Sequence, residues 1–195
     1  MIIAFIGNNG AGKTTVTKNL VSIFTGKGKR AVLLEGASYF LIGFLRKIFP
    51  KNNYSGERAS AVSGRPGFWT YLWTYAVFMD SLFACVYLFV ASRRSLIVLD
   101  RYFYDYIVTF KDLSCLSPLS EFLFMSLPKP DYIFLIDAPA ETCALRRDNG
   151  LENTSFYQRR REDYLDLSKR LRIETISGIQ AVQDICGYVS TKIGL

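Results

Sequence analysis

Apolar residues fall into short unbroken runs separated by longer mixed segments. Ile2–Ile6, Ala31–Leu34, Ser95–Leu99 and Tyr132–Ile136 are such runs, and Ile173–Ile176 is a weaker one. Each is strand-length and continuous rather than alternating. That is the pattern of strands buried on both faces, and the long intervals between them suit crossover helices. The pattern predicts an α/β protein built on a parallel sheet. Lys13–Thr25 reads as the first crossover helix, closed near Gly26 and Gly28. Pro139–Arg147, Phe156–Leu171 and Gly178–Ile193 read as later helices. Lys51–Gly67 is polar and contains glycine, and reads as a mobile loop. No internal repeat, low-complexity tract or linker interrupts the chain, so residues 1–195 are expected to form one domain.

One segment departs from this alternation. Phe68–Ala91 is almost wholly apolar and helix-length, broken mainly by Asp80 and followed by Arg93 and Arg94. Its length matches the roughly 20 apolar residues that cross a bilayer. A mid-membrane aspartate is costly, and a span here would separate strands that must share one sheet. The expected reading is a long helix packed on the sheet or across a dimer interface. Tyr39–Phe49, aromatic and apolar with Arg46 and Lys47, has a composition compatible with a peripheral membrane contact.

Composition narrows the class. Half the residues are hydrophobic and 21% are charged, which is globular. The net charge is +7, and part of it clusters at Arg146, Arg147, Arg159, Arg160 and Arg161, a grouping that suits phosphate handling. No RNA-binding or helix-turn-helix pattern occurs, so nucleic acid is not an expected partner. The four cysteines, Cys85, Cys115, Cys143 and Cys186, form no metal-type pairs and read as reduced thiols of a cytoplasmic protein. The chain has no histidine, which excludes histidine acid–base chemistry and histidine metal sites. The opening run lacks a basic flank and does not read as a signal peptide.

The sharpest chemical signal is Gly7-Asn8-Asn9-Gly10-Ala11-Gly12-Lys13-Thr14-Thr15, a full G-x-x-x-x-G-K-[ST] between an expected strand and an expected helix. Its glycines let successive backbone N–H groups converge on a phosphate, and the helix start adds its positive dipole end. Lys13 is expected to bridge β- and γ-phosphates, and the Thr14 hydroxyl to ligate Mg²⁺. The chain has no Asn-Lys-x-Asp base-reading element of GTPases. Asn8 and Asn9 stand where partition-type ATPases place a second lysine. The loop therefore predicts ATP and Mg²⁺.

Ser95-Leu96-Ile97-Val98-Leu99-Asp100 is an apolar strand ending in a carboxylate, placed to reach Mg²⁺ through water. Arg101 and Tyr102 follow. Here the chain resembles the thymidylate kinase family, whose third strand ends in Asp-Arg-Tyr. The resemblance continues through Pro130-Asp131, Asp137, Pro139, Glu141 and Arg146, and on to Phe156, Arg159, Arg161 and Tyr164-Leu165. It implies a three-layer P-loop NTPase fold, with five parallel strands ordered 2-3-1-4-5 and a mobile lid around residues 146–162. It also implies a homodimer through the long apolar helix. Lys13, Arg101, Arg146, Arg159 and Arg161 take the catalytic roles by this resemblance. Arg160 is open to the alternative of a solvated residue paired with Glu162 or Asp163.

The acceptor side departs from that family. Asn9 replaces a loop carboxylate, Glu35-Gly36-Ala37 replaces Glu-Pro-Gly, and Tyr71–Leu82 offers Asp80 where the family has an arginine. Loss of such polar partners shifts specificity strongly. The expected acceptor residues are Glu35, Arg58, Arg65, Arg101 and Tyr104. A phosphate acceptor is already ionised and needs no general base, which favours a nucleoside monophosphate, dTMP first. A deoxynucleoside, sugar or lipid alcohol would instead need a base, for which Glu35 is the leading residue. A nucleotide-binding switch is the reading from another class.

Overall fold

A computed structural model describes residues 1–35, 68–146 and 154–195. The expectations for Tyr39–Phe49, Lys51–Gly67, Arg58, Arg65 and Arg147 lie outside the described residues. Five strands, β1 (Ile2–Ile6), β2 (Ala31–Glu35), β3 (Leu96–Asp100), β4 (Tyr132–Asp137) and β5 (Glu174–Ser177), form one sheet ordered β2-β3-β1-β4-β5. All neighbouring pairs are parallel. This is the order expected from the resemblance.

Seven described helices connect and flank the strands. They are α1 (Lys13–Gly26), α2 (Phe68–Ser92), α3 (Asp105–Asp112), α4 (Pro118–Met125), α5 (Ala140–Leu145), α6 (Thr154–Leu171) and α7 (Val182–Lys192). The last strand and helix correct the expected bounds. The strand begins one residue later than Ile173, and the helix begins at Val182 rather than Gly178, because Gly178 to Ala181 form the turn between them. Helices α3 and α4 lie in the aromatic run after Asp100, where no helix was expected. Each is only eight residues long, little more than two turns. The start of α4 does carry a local signal: Ser117 and Ser120 form a reciprocal capping box around Pro118.

The described chain divides into two compact units. The first holds the sheet with α1, α5, α6 and α7. On one face of its sheet, Ile3, Phe5, Val98, Phe134 and Ile176 pack with Val16, Leu20 and Phe24 of α1 and with Ile185 and Val189 of α7. The i, i+4, i+8 spacing of Val16, Leu20 and Phe24 keeps one stripe of α1 inward. The stacked rings of Phe5 and Phe134, 5.6 Å between centroids, join β1 to β4 at its centre. The second unit holds most of α2 with α3 and α4. Phe124 contacts Phe78 edge-on and lies 5.7 Å from Phe110, and Tyr75 bonds Ser117 at 3.3 Å. Within α2, Thr70–Ser92 is long and apolar enough to cross a membrane by length and composition. Asp80 on this helix is buried.

Candidate active site

The register of the sheet brings the chemistry to one edge. Asp100 pairs across the backbone with Phe5 on one side and Glu35 on the other, so β1, β2 and β3 end together. The loop after β1 crosses this carboxyl edge, where open α/β sheets bind ligands. A cleft of about 420 Å³ opens there, lined by Asn9, Gly10, Gly12, Lys13, Thr14 and Thr15 of the loop, with Asp100, Arg101 and Arg146.

Six of the nine loop residues thus face the cleft, while Gly7, Asn8 and Ala11 form its backing. The Asn8 side chain is turned inward, its Nδ2 donating to the Tyr157 carbonyl at 2.8 Å, so α6 is tied directly to the loop. The Lys13 ammonium is buried and donates to the carbonyls of Gly7 and Asn8, both at 2.8 Å. It is thereby held over the loop's concavity. The Thr14 hydroxyl donates to the Asp100 carboxylate.

The loop is clamped from behind at two glycines. Gly10 has φ +81°, and a Cβ there would lie 2.6 Å from the Cys143 carbonyl oxygen of α5. Gly178, after β5, approaches from the other side: a Cβ would lie 2.6 Å from the Ala11 carbonyl oxygen. Both approaches require glycine. Gly178 was not singled out in the sequence, because its role is a contact made 167 residues away. Cys143, buried against the loop, has its thiol pKa raised by that burial, with Lys13 and Arg146 opposing.

The arginines divide by environment. Arg146 reaches the cleft, its Nη1 3.3 Å from the Gly10 carbonyl oxygen and 3.4 Å from that of Gly178. Arg101 donates to the Asn9 side-chain oxygen. Arg161 makes a two-point pair with Asp137 at the end of β4, with Nε and Nη2 each 2.7 Å from a carboxylate oxygen. This pairing raises the Arg161 pKa. Arg161 is not among the cleft-lining residues, and Arg159 is exposed on α6.

Of the two readings left open for Arg160, the solvated helix face is overturned, because the residue is buried. Its guanidinium is buried between the rings of Phe156 and Tyr164, at 5.5 and 5.8 Å, because positions i−4 and i+4 share its inward helix face.

Glu35 ends β2 beside Asp100, and only its backbone is described. Tyr104 is fully buried, its hydroxyl 3.3 Å from the Leu127 carbonyl oxygen, and burial pushes its pKa up to about 12.

The Thr14 hydroxyl and Asp100 carboxylate meet as a pair of hard oxygen donors. This is a donor set that fits Mg²⁺, an ion commonly held by one or two protein oxygens together with phosphates. Among the described residues no cluster of three or more His, Cys, Asp or Glu side chains offers an all-protein metal cage.

The sheet order, the glycine loop opening α1 and the strand-terminal Asp100 define a P-loop NTPase fold. No family model matches the chain. Two thymidylate kinases do resemble it over most of its length. A probable thymidylate kinase of Sulfurisphaera tokodaii is 23% identical over 193 residues, covering 94% of this chain and 90% of that protein. The solved structure of thymidylate kinase from Ehrlichia chaffeensis aligns with a TM-score of 0.65 at 16% identity, covering 99% of this chain and 98% of that one. Over nearly its whole length the chain is similar to thymidylate kinases, and it shares the fold of the solved one.

Proposed function

We propose that the protein transfers the γ-phosphoryl group of ATP to a nucleoside monophosphate, with dTMP as the foremost acceptor. One observation carries this reading: a single cleft gathers Lys13, Thr14, Asp100, Arg101 and Arg146 around a phosphate-binding loop. Phosphoryl transfer needs positioning and charge stabilisation more than covalent chemistry from the protein. The loop N–H groups and the start of α1 bind the nucleotide's phosphates. Lys13 stabilises the charge that develops as the β–γ bridging bond breaks. Arg101 orients the acceptor phosphate, and Arg146 covers the phosphates from the α5 side. Thr14 and Asp100 are the oxygen donors for Mg²⁺, Asp100 through water. The ion, when bound, supplies charge neutralisation on the phosphates.

The names of the two similar proteins support dTMP as acceptor. Asn9 favours a changed acceptor, since an amide stands where the resemblance leads one to expect a carboxylate. ADP release from Mg-ATP against dTMP, dUMP, other nucleoside monophosphates, deoxynucleosides and simple sugars tests the reading. Stimulation only by an alcohol or sugar would replace the acceptor class. Absence of any stimulation, with ATP still bound, would replace the kinase by a switch.

Residues 146–162 are proposed as a lid that brings Arg159 and Arg161 to the bound nucleotide. A second copy of the chain is proposed as the partner of α2. Leu72, Met79, Phe83, Val86 and Val90 are exposed at spacings of seven, four, three and four residues, a charge-free stripe along one helix face. A cytoplasmic location accords with four cysteines that form no disulfide, three of them buried.

A further inference from the structure

Arg101 and Asn9 lie 92 residues apart in sequence and meet across the cleft. Arg101 stands directly after β3 with φ +104°, on the left-handed side that a residue bearing a Cβ disfavours. Its backbone is nevertheless anchored, the amide donating to the Phe5 carbonyl at 3.0 Å. Sheet pairing thus continues to the residue that adopts the unfavourable angle. Non-glycine residues held in such conformations concentrate at functional sites, where surrounding contacts over-determine them. Here the contact is the Nη2 donation to the Asn9 side-chain oxygen.

The chemistry of that acceptor sets Arg101 apart from Arg161. Arg161 is paired at two points with the Asp137 carboxylate, so its charge is compensated within the protein. Among the described residues no carboxylate forms an ion pair with Arg101, and the neighbouring Asp100 carboxylate accepts from Thr14. An amide oxygen orients a guanidinium without neutralising it. We infer that Asn9 is a positioning residue for Arg101, holding the guanidinium across the cleft through a neutral acceptor so that its positive charge remains available to an anionic ligand. This deepens the reading of the cleft as a phosphoryl-transfer site and rests on it for the ligand's role.

Pyrophosphate affinity, measured by calorimetric titration without Mg²⁺, tests the inference in the wild type, Asn9→Ala, Arg101→Ala, the double variant and Asn9→Asp. Thermal midpoints and the kcat and KM for dTMP are read alongside. Asn9→Ala is expected to weaken pyrophosphate about tenfold in the wild-type background and less than twofold in the Arg101→Ala background, since the effect passes through Arg101. In transfer assays it should raise the acceptor KM more than it lowers kcat. Asn9→Asp keeps an acceptor for Arg101 and adds an ion pair. Its thermal midpoint should therefore match or exceed the wild type while its anion affinity falls, a combination that a merely structural role does not produce.

Equal loss from Asn9→Ala in both backgrounds, or wild-type pyrophosphate affinity in Asn9→Asp, would overturn the inference. A non-additive cycle in a protein that does not phosphorylate dTMP would sustain the Asn9–Arg101 coupling and reject only the acceptor.

Discussion

The Thr14 hydroxyl donates to the Asp100 carboxylate, joining the first turn of α1 to the end of β3 across 86 residues of sequence. This contact places two oxygen donors where the loop and the sheet edge meet. If they hold Mg²⁺, replacing Asp100 by Asn should raise the Mg²⁺ concentration needed for half-maximal transfer about tenfold or more, with ATP binding in the absence of metal little changed. Chelation of Mg²⁺ should abolish transfer in both proteins. A wild-type Mg²⁺ requirement in Asp100→Asn would remove Asp100 from the metal's surroundings.

The Asp137–Arg161 pair leads to a different expectation. Its geometry is two-point and partly shielded, so it should contribute on the order of 1 kcal/mol to stability. Asp137→Ala and Arg161→Ala should each lower the thermal midpoint by a few degrees, and the double variant by less than the sum. Under the lid proposal, Arg161→Ala should also reduce kcat by roughly 10² or more, because the guanidinium leaves Asp137 for the nucleotide. Denaturation curves and steady-state kinetics separate the two effects. A kcat within twofold of the wild type would confine Arg161 to a structural role.

Buried thiols give the alkaline dependence. Cys115, Cys143 and Cys186 all have pKa values raised by burial. The folded state therefore retains protons that the unfolded chain releases. Their contribution to stability is complete below the ordinary thiol range near about 8.5 and is lost as pH rises through and above it. Tyr104, pushed up to about 12, adds a further loss at still higher pH. Native labelling with iodoacetamide at neutral pH should modify Cys85, the one intermediate cysteine, well before the three buried ones. Equal labelling of all four in the folded protein would contradict this burial pattern.

Self-association through α2 is checked by sedimentation. The wild type should sediment as a dimer at micromolar concentration, and Val86→Glu with Phe83→Glu should yield a folded monomer. A wild-type monomer that floats with lipid vesicles would assign the stripe to a membrane.

Much of this arrangement was legible in the sequence. Continuous apolar runs located the strands, because parallel strands buried on both faces leave no polar alternation to confuse the reading. The loop from Gly7 to Thr15, and Asp100 with Arg101, stood out by residue type and spacing, and the structure gathers six of those nine loop residues with Asp100 and Arg101 in one cleft. Other features depended on three-dimensional approach. Nothing local in Gly178 announces its contact with Ala11, nothing in Asp137 announces Arg161, and the inward turn of Asn8 follows from α6 packing against the loop. Arg160 was left open between two readings because its acidic neighbours in sequence suggested a solvated face, whereas helical periodicity aligned it with Phe156 and Tyr164. Helices α3 and α4 were missed because each is only eight residues long, a length at which an apolar run does not by itself distinguish helix from strand.

Phosphoryl transfer from the loop that holds Lys13 is read out by following ADP and dTDP formation from Mg-ATP and dTMP, with the wild type and Lys13→Ala side by side. Stoichiometric ADP and dTDP are expected from the wild type, with little ADP without dTMP and a loss of at least about 10³-fold in a folded Lys13→Ala protein. Undiminished transfer by Lys13→Ala would contradict the mechanism.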